Sequence, residues 1–536
     1  MNALLILFGG RLSNEAFLPL HNDKNSVFLT LEQSKNFPGV SKTVFLAGQD
    51  GDSPDLQNTL GTLEIQVEKQ AFWTKKSLLQ TIAQLSAGFD CVYFAWADCP
   101  FLDPSLAGVM AKRHLEQRAE YSYADGWPYG LTPEIILPST AGILAKILGE
   151  GDGGLVTRDT LFSVIQKDIN AFDIETEISP VDLRCHRINL CADSKRNLLL
   201  LSRFAKEAGK IPEAADVQRL IAEQPEILRT LPAFYPIQVY AGCPQSCTIC
   251  PYPEAVKEAG PVVGRKDYME SAKFKILLDK IADFSHDAVI DLSLWGELAL
   301  HPEKMDLIGM VLSHPEFALV IETSGLGWKT EELEKCAKLA HNAIMRQPLA
   351  AERKNPLPAL SWIVSLDTAD PQRYKEIRGS GFAEAVDCAK KLFSLFPKDT
   401  YVQAVRTAGA EDDIEKFYRF WKENAPCGEA NIIIQKYDDF CGALEKKQAS
   451  DISPVIRHPC WHMMRDMPVL LDGTVPLCRE DLSALKRQSG NRILGNVFTD
   501  SMEDIWNNGS YYYIEQCGKN YQGLCADCDE YYTYNF

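Results

Sequence analysis

Residues 240–254, YAGCPQSCTICPYPE, place three cysteines within eight residues. Cys243, Cys247 and Cys250 form a compact set of thiolates, and such soft ligands select iron–sulfur clusters, zinc or copper(I). A structural zinc site is normally closed by a fourth Cys or His nearby, yet no Cys or His follows before His286. Three thiolates that leave one position open suit a cluster whose fourth iron is reserved for a substrate or a cofactor.

The three-cysteine loop follows the first of six strand-like segments in the middle of the chain. These segments are YPIQVYA, DAVIDLSLW, FALVIETS, ALSWIVSLD, TYVQAVRT and ANIIIQKY. Helix-like stretches such as SAKFKILLDKIADF lie between them. Six β-then-α units predict a parallel sheet that curls into a barrel or partial barrel, in which chemistry gathers at the carboxyl ends of the strands. The cysteine loop therefore lies where such a fold places its active site.

The chain divides by composition into four parts. Residues 1–205 alternate strand candidates with helical patterns, and residues 206–233 form a charged helical connector. Residues 234–445 hold the six β-then-α units, and residues 446–536 are rich in Cys, Gly and aromatic side chains. Because so small and loop-rich a segment has a modest core, a metal centre would supply the missing stability. The fold class is therefore expected to be α/β, with three domains.

Composition and charge indicate which binding partners and which cellular compartment to expect. The chain has 536 residues and a formal net charge of −18. This charge argues against broad nucleic-acid or anionic-membrane binding, since both need a basic surface. The opening MNALLILFGG is too short an apolar run to cross a bilayer, and no positively charged segment precedes it. We therefore expect a cytoplasmic protein whose thiols stay reduced.

Sixteen cysteines in a reducing compartment are expected to be ligands, catalysts or core thiols rather than disulfides. Eight of them are scattered, mostly beside apolar or helical sequence, which favours small buried side chains. These eight are Cys91, Cys99, Cys185, Cys191, Cys336, Cys388, Cys427 and Cys441. The other eight fall into two groups, at 243–250 and at 460–528.

The second group combines two separated cysteines with a pair close to the end of the chain. Cys460 and Cys478 have 17 residues between them, and Cys525-x2-Cys528 is a chelating pair that needs partners from elsewhere. Together they give a four-cysteine site. Zinc and an iron–sulfur cluster both suit four thiolates, so the spacing leaves both open. Cys517 is left over as an alternative ligand or, as we expect, a plain buried thiol.

The CxxxCxxC spacing after a first strand resembles that of the radical S-adenosylmethionine (SAM) enzymes, which share a partial (β/α)6 barrel. The resemblance implies that Cys243, Cys247 and Cys250 hold a [4Fe–4S] cluster and that SAM chelates its fourth iron. Reductive cleavage of SAM then gives methionine and a 5′-deoxyadenosyl radical, which abstracts a hydrogen atom from the substrate. The family also implies an electron donor such as flavodoxin or ferredoxin.

Three later motifs stand in the order found in that family. LSLWGELALHP resembles its Gly-Gly-Glu motif, with Trp295 in place of the first glycine. IETSGLGW resembles the Thr-Asn-Gly turn, and IVSLDTADPQRYKEIRGSG resembles the fourth-strand motif. The ordinary alternatives are a solvated loop acid for Glu297, a strand-end hydroxyl for Ser365 and a surface charge for Arg378. The resemblance assigns SAM binding to Gly296, Glu297, Thr323, Ser365 and Asp367.

The C-terminal pattern resembles the SPASM/twitch extensions of radical SAM enzymes. Full SPASM domains carry seven cysteines and two clusters, whereas four cysteines imply one cluster, as in the twitch form. The resemblance implies that Cys460, Cys478, Cys525 and Cys528 hold an auxiliary [4Fe–4S] cluster. A cluster with all four irons protein-ligated cannot bind a second SAM, so its expected role is electron transfer.

Residues 1–205 resemble nucleotidyltransferases of the glycosyltransferase-A type, including cytidylyltransferases. The turn Gly9-Gly10-Arg11 corresponds to their phosphate-cradling loop, and Asp98 corresponds to a metal-binding acid. The loop is shorter than in that family, and Asn189 stands where a second acid is expected. We therefore expect a degenerate, substrate-binding or scaffolding domain rather than an active transferase.

The joined architecture resembles the spiro-SPASM group of proteins. It implies a radical SAM enzyme that oxidises or modifies a small-molecule or peptide substrate with the help of the auxiliary cluster. The transferase-like domain favours a carbohydrate or nucleotide-linked substrate. The alternatives are a radical SAM maturase of peptides or proteins and, in a different class, a zinc-stabilised scaffold without enzymatic activity.

Overall fold

The computed structural model describes residues 1–48, 54–61, 65–151, 153–259, 267–346, 358–425, 431–450, 453–486 and 492–533. These residues form two compact units, the first reaching to Thr230 and the second beginning at Leu231. Within the described ranges no helix is both long and apolar enough to span a bilayer. The finer domain boundaries drawn from the sequence remain predictions.

The first unit is built on a seven-stranded mixed sheet with the order β5-β4-β1-β6-β8-β7-β9, beside a small β2–β3 hairpin. Its strands are β1 (Ala3–Gly9), β2 (Pro19–His21), β3 (Lys24–Asn25), β4 (Val40–Ala47), β5 (Gln66–Lys69), β6 (Cys91–Trp96), β7 (Tyr121–Asp125), β8 (Glu134–Ile136) and β9 (Ile174–Ile178). Strand β1 pairs in parallel with β4 and β6 and is buried along its whole length. Such a continuous apolar run is typical of a strand covered on both faces.

Eight helices accompany this sheet. They are α1 (Ser26–Ser34), α2 (Pro54–Gly61), α3 (Lys75–Leu85), α4 (Pro104–Gln117), α5 (Pro138–Ile147), α6 (Thr160–Ile165), α7 (Lys195–Ala208) and α8 (Ala214–Glu223) among the described residues. Asp103 caps α4 by accepting from the N–H groups of Ser105 and Leu106, with Pro104 at the first helical position.

The second unit contains a six-stranded parallel sheet whose strands stand in chain order. This order agrees with the repeated β-then-α pattern of the sequence. The strands are β10 (Phe234–Pro236), β11 (Ala288–Asp291), β12 (Phe317–Thr323), β13 (Leu360–Ser365), β14 (Thr400–Arg406) and β15 (Asn431–Lys436). A short antiparallel pair follows them, β16 (Thr474–Pro476) and β17 (Ile493–Asn496).

Seven helices lie between the parallel strands or directly after them. They are α9 (Tyr252–Ala259), α10 (Ser271–Ser285), α11 (Lys304–Leu312), α12 (Thr330–Arg346), α13 (Pro371–Ile377), α14 (Phe382–Leu395) and α15 (Glu411–Asn424). Five short helices complete the described C-terminal part: α16 (Trp461–Arg465), α17 (Ser483–Lys486), α18 (Met502–Asn508), α19 (Ser510–Cys517) and α20 (Leu524–Asp527).

The two faces of the parallel sheet bury different residues. Alternate strand residues point to opposite faces, and one face packs with the surrounding helices in the large core of the unit. The other face carries a small apolar cluster, here called the inner cluster, made of Phe234, Val289, Val320 and Ile363. The strand positions that follow this cluster, at the carboxyl end of the sheet, therefore face the same side as the inner cluster.

Candidate functional site

The three cysteines of the 240–254 loop lie together beyond the carboxyl end of β10. Cys243 is exposed, and Cys247 and Cys250 are half-buried. Burial raises the pKa of the Cys243 thiol to about 11 and that of Cys250 to about 12, and the charge of Cys247 adds to both shifts. Mutually interacting thiols that remain partly accessible fit a three-thiolate ligand set, in which the metal holds each sulfur deprotonated.

Two hydrogen bonds attach this loop to α13. The backbone N–H of Thr248 donates to the carbonyl oxygen of Ile377 at 2.8 Å. The side-chain amide of Gln245 donates to the hydroxyl of Tyr374 at 2.7 Å. The loop after the first strand of the sheet is thus held by the helix after the fourth strand. This connection fixes the thiols at the carboxyl edge of the sheet.

The loop after β11 approaches the cysteine loop too closely for a side chain. The N–H of Glu297 donates to the carbonyl oxygen of Gly242 at 2.8 Å. A methyl group placed on Gly296 would lie 1.8 Å from the carbonyl oxygen of Tyr240, so only glycine fits there. Trp295, where the resembling family has another glycine, adopts a left-handed φ of +49°. The structure therefore places Gly296 in backbone contact with the cysteine loop.

The carboxylate of Glu297 is buried and hydrogen-bonded within the protein. It accepts from the hydroxyl of Thr323 and from both the N–H and the hydroxyl of Ser324, each at 2.8 Å. The N–H of Ala299 is a fourth donor at 3.1 Å. Burial raises the pKa of Glu297, and these donors oppose the shift. Four donors match the acceptor capacity of one carboxylate, so Glu297 and Thr323 join the loops after β11 and β12.

Ser365 and Asp367 lie at the end of β13 with partners of their own. Asp367 has a φ of +65° and accepts from Arg378 Nε at 3.0 Å and from the N–H of Val405 at 2.9 Å. Arg378 also donates to the carbonyl oxygen of Ser365 at 2.8 Å. Its positive charge lowers the pKa of the Cys247 thiol, against the larger opposing effect of burial. Arg378 is thus buried beside the thiols, and the alternative of a surface charge is wrong.

Four polar side chains continue the inner cluster towards the carboxyl end of the sheet and form what we call the polar layer. They are Asp291, Glu322, Ser365 and Gln403, on four adjacent strands. The exposed Glu322 carboxylate accepts from the Ser365 hydroxyl at 2.7 Å and from the Gln403 amide at 2.8 Å. Burial raises the pKa of Asp291 to about 7, and the negative charge of Glu322 adds to this shift.

The four C-terminal cysteines with the predicted spacing line one cavity, here called the auxiliary cavity. Cys460 precedes α16, Cys478 follows β16, Cys525 lies within α20, and Cys528 directly follows α20. Burial raises the pKa of the Cys478 and Cys525 thiols. Since a [4Fe–4S] cluster takes four thiolates, this donor set fits such a cluster.

A fifth thiol, that of Cys441, lines the same cavity. The expectation of a small buried side chain there is wrong, because the loop after β15 carries Cys441 to the other thiols. Cys185 also differs from expectation, since it is exposed. Cys427 lies outside the described residues, and the other five scattered cysteines are buried as expected. Cys517 is half-buried against the core, apart from the described residues that line the cavity.

One arginine lies near both the auxiliary cavity and the polar layer. Arg479 directly follows Cys478, and its positive charge lowers the pKa of Asp291, against the larger effect of burial. Near the chelating pair, Lys436 Nζ lies 2.9 Å from Asp529 and also pairs with Glu530. Buried charges are paired in this way because an isolated one is costly.

A row of three aromatic rings connects the two cysteine groups. Tyr252, two residues after Cys250, stacks on Trp295 with ring centroids 6.4 Å apart and planes 10° apart. Trp295 in turn contacts Phe440 at 5.6 Å. Phe440 directly precedes Cys441 in the auxiliary cavity. Trp295, which departs from the family motif, is therefore the middle ring of this row.

In the first unit, the residue expected to bind a metal ion is engaged by an arginine. Asp98 is 1% exposed and accepts from Arg158 at 2.9 and 2.5 Å through both carboxylate oxygens. Arg158 is also buried and stacks over Trp96 at 4.5 Å. A carboxylate already neutralised by a bidentate guanidinium does not fit a magnesium site, which needs free oxygen ligands. The expectation of a degenerate domain stays a prediction.

The predicted phosphate loop is shaped by packing. A methyl group on Gly9 would lie 2.2 Å from the Phe45 ring, and one on Gly10 would lie 2.5 Å from the Trp73 ring. Close packing against aromatic rings therefore accounts for both glycines. Arg11 is buried directly after them.

Sequence reasoning missed Cys441 and three members of the polar layer, Asp291, Glu322 and Gln403. A signal existed for two of them, because the strand-like segments DAVID and FALVIE each end on an acid. The face of the sheet that those acids occupy depends on strand register. Because the four residues also lie far apart in the sequence, their spacing does not show that they meet.

Residues 460–529 match the SPASM family, described as an iron-sulfur cluster-binding domain. The prediction of an iron–sulfur centre in the C-terminal part is thereby confirmed.

Three solved structures show a partial likeness to the chain. A cytidylyltransferase from Leptospira borgpetersenii serovar Hardjo-bovis (strain JB197) has 17% identity and a TM-score of 0.37, over 42% of this chain and 95% of that one. BtrN in complex with AdoMet and 2-DOIA has 17% identity and a TM-score of 0.34, over 56% and 94%. Streptococcus suis SuiB bound to precursor peptide SuiA has 14% identity and a TM-score of 0.41, over 69% and 84%.

Sequence similarity is stronger to an uncharacterized protein of Treponema pallidum (strain Nichols). The two are 34% identical over 385 residues, which are 70% of this chain and 98% of the relative. The chain therefore belongs to the family of this Treponema pallidum protein, and its residues 460–529 match the SPASM iron–sulfur cluster-binding domain.

Proposed function

We propose that this protein is a radical SAM enzyme with an auxiliary [4Fe–4S] cluster, and that it oxidises or modifies a substrate rich in hydroxyl groups, such as a carbohydrate or a nucleotide-linked sugar. The observation that carries the proposal is the partly open three-thiol loop held beside the polar layer. When bound, the cluster and SAM supply a 5′-deoxyadenosyl radical that abstracts hydrogen. The protein's own residues position these groups and exclude water.

The contacts around the cysteine loop support a preorganised cofactor site. Gly296 lets the loop after β11 reach the backbone of the cysteine loop, and Glu297 ties that loop to the next one. Arg378 brings a fixed positive charge to the thiols, where it favours their deprotonated form. Because these groups are held by hydrogen bonds before any ligand binds, little reorganisation is needed on binding.

The polar layer supports a hydroxyl-bearing substrate. Carboxylates accept hydrogen bonds from hydroxyl groups, and an amide both donates and accepts. Glu322 and Gln403 present these groups at the carboxyl edge of the sheet, where parallel α/β folds bind their ligands. Asp291, whose pKa is about 7, carries a proton for much of the time at neutral pH and can then also donate.

The place of the auxiliary cavity supports a role in electron transfer. A substrate that loses a hydrogen atom becomes a radical, and its oxidation requires the removal of one more electron. Arg479, next to Cys478, lies close enough to the polar layer for its charge to act on Asp291, and the Tyr252–Trp295–Phe440 row connects the cavity to the cysteine loop. We propose that the auxiliary cluster accepts this electron and that flavodoxin or ferredoxin supplies the electron for SAM cleavage.

Anaerobic reconstitution of the full chain with iron and sulfide tests the proposal. We expect about eight irons per chain, a sulfur-to-iron charge-transfer band and the formation of 5′-deoxyadenosine from SAM with dithionite. The triple variant C243A/C247A/C250A should keep about four irons and form no 5′-deoxyadenosine. Cys185→Ala, at an exposed thiol of the first unit, is the matched control and should behave as the unaltered chain.

Other outcomes would separate the alternatives. Stoichiometric zinc, without iron uptake or SAM cleavage, would establish the scaffold instead. Once SAM cleavage is shown, sugars and nucleotide sugars deuterated at their carbinol carbons should pass deuterium into 5′-deoxyadenosine. Transfer from a deuterated peptide, and from none of the sugars, would refute the substrate class and favour a peptide maturase.

A further inference from the structure

The auxiliary cavity holds more thiols than one cluster uses. A [4Fe–4S] cluster has four irons and takes four cysteine thiolates, whereas five cysteines line this cavity. Four of them, Cys460, Cys478, Cys525 and Cys528, lie within the SPASM match at 460–529. Cys441 lies 19 positions before that match begins, on the loop that leaves the last strand of the parallel sheet. The surplus thiol therefore comes from outside the iron–sulfur domain.

The backbone around Cys441 is built to present this side chain. Phe440, Cys441 and Gly442 adopt successive φ values of +52°, +54° and +86°. Residues other than glycine take up this left-handed conformation only where the surroundings enforce it. Here Asp438 accepts from the N–H of Phe440 at 2.7 Å, and Asp439 accepts from the N–H of Gly442 at 3.0 Å. These two hydrogen bonds stabilise the turn that carries Cys441.

Ion pairs hold this turn against the chelating pair. Lys436, the last residue of β15, donates to the carbonyl oxygen of Asp529 at 3.0 Å and lies 2.9 Å from its carboxylate. Lys436 also pairs with Glu530. Asp529 and Glu530 directly follow Cys528 in the sequence. The start of the Cys441 loop and the residues after Cys528 are thus joined through one half-buried lysine.

The result is that two thiols from distant parts of the chain meet in one cavity. The side chains of Cys441 and Cys528 both line it, and each thiol shifts the pKa of the other. An iron held by the sulfur of Cys528 would therefore also be within reach of Cys441. Cys517, the remaining cysteine of this region, does not share this position, because it is not among the described residues that line the cavity.

We propose that Cys441 is a fifth ligand of the auxiliary centre and that Cys441 and Cys528 serve the same iron in turn. The proposal rests on the proposed iron–sulfur function of this cavity. In the exchange, the bond from iron to the Cys528 sulfur breaks and a bond to the Cys441 sulfur forms. The proton of the Cys441 thiol passes to the Cys528 thiolate, so charge and electron count are unchanged. Either thiol alone is then sufficient to complete the four-thiolate set.

The test uses the C243A/C247A/C250A chain, in which the auxiliary cavity is the remaining cluster site. Added single substitutions, Cys441→Ala or Cys528→Ala, should each leave about four irons and matching acid-labile sulfide per chain. The double substitution C441A/C528A should lower both severalfold. The double substitution C517A/C528A is the matched control and should keep about four irons. Far-UV circular dichroism establishes that each variant is folded.

A spectroscopic measurement distinguishes ligand exchange from simple tolerance of a missing ligand. The reduced clusters of the Cys441→Ala and Cys528→Ala chains should give electron paramagnetic resonance spectra with similar line shapes, since each iron keeps a thiolate. Folded Cys528→Ala that loses its iron, or C441A/C528A that keeps four, would overturn the role of Cys441. If the C243A/C247A/C250A chain itself takes up no iron, the proposed auxiliary cluster fails and this inference falls with it.

Discussion

Replacing Gly296 by alanine tests how closely the two loops at the cysteine site must approach. The added methyl carbon would lie 1.8 Å from the carbonyl oxygen of Tyr240. Moving it out to about 3.0 Å, the shortest distance such atoms tolerate, requires the loops to separate by about 1.2 Å. The hydrogen bond from Glu297 N–H to Gly242, now 2.8 Å, would lengthen to about 4.0 Å and be lost.

This displacement should affect SAM cleavage more than stability. A lost backbone hydrogen bond costs about 0.5–1.5 kcal/mol, whereas a misplacement of about 1 Å at a reacting site can lower the rate roughly 100-fold. We therefore expect Gly296→Ala to form 5′-deoxyadenosine about 100-fold more slowly than the unaltered chain. Chromatographic quantification of 5′-deoxyadenosine under anaerobic conditions, with iron counted in the same samples, measures both effects.

Gly309→Ala is the matched control. Gly309 lies within α11, and a methyl group there meets no atom within 4 Å. Alanine in a helix interior is favoured over glycine by about 0.5–1 kcal/mol, so this variant should be at least as stable and equally active. The reasoning is refuted if Gly296→Ala and Gly309→Ala cleave SAM at the same rate with the same iron content.

Three further predictions concern buried charges, and each is measured by urea denaturation. Glu297→Gln turns one acceptor oxygen into an amide donor that faces other donors, so the free energy of unfolding should fall by about 1–3 kcal/mol. An unchanged urea midpoint would contradict this prediction. Asp98→Ala removes the bidentate partner of the buried Arg158 but leaves Asp193 at 3.5 Å, so the free energy of unfolding should fall by about 3 kcal/mol, the low end for breaking a buried pair, whereas a stabilised variant would show that the pair is dispensable. Because the pKa of Asp291 is raised from 3.8 to about 7, the folded chain binds this proton more tightly than the unfolded chain, and stability falls as pH rises through that range. Between about pH 5 and pH 8, the free energy of unfolding should therefore fall less for Asp291→Asn than for the unaltered chain. An equal fall in both chains would refute the raised pKa of Asp291.

Much of the candidate site could be predicted because local spacing carries the chemistry. Three thiolates within eight residues are close enough to form a ligand set whatever the surrounding fold. A strand-like segment directly before them places the loop at the carboxyl edge of a sheet. The four C-terminal cysteines were likewise recognised from their spacing, and they line one cavity.

Contacts between residues distant in the sequence could not be predicted in this way. Arg378 was left with the alternative of a surface charge, yet it is buried against Asp367 and beside the thiols. Asp98 was matched to a metal-binding acid, yet Arg158, 60 residues later, neutralises it. In each case the sequence around the charged side chain does not identify its partner, since pairing depends on which loops the sheet brings together.

The sequence by itself determined the α/β class, the three-thiol loop and the set of four C-terminal cysteines, because strand periodicity and ligand spacing are local properties. Only the tertiary structure decided that Cys441 joins those four thiols and that Asp291, Glu322, Ser365 and Gln403 form one polar layer. Parallel strands far apart in the chain end at the same edge of a sheet, and a turn after the last strand can reach cysteines that follow much later in the chain. The distances between such residues are set by the fold and cannot be derived from their spacing in the sequence.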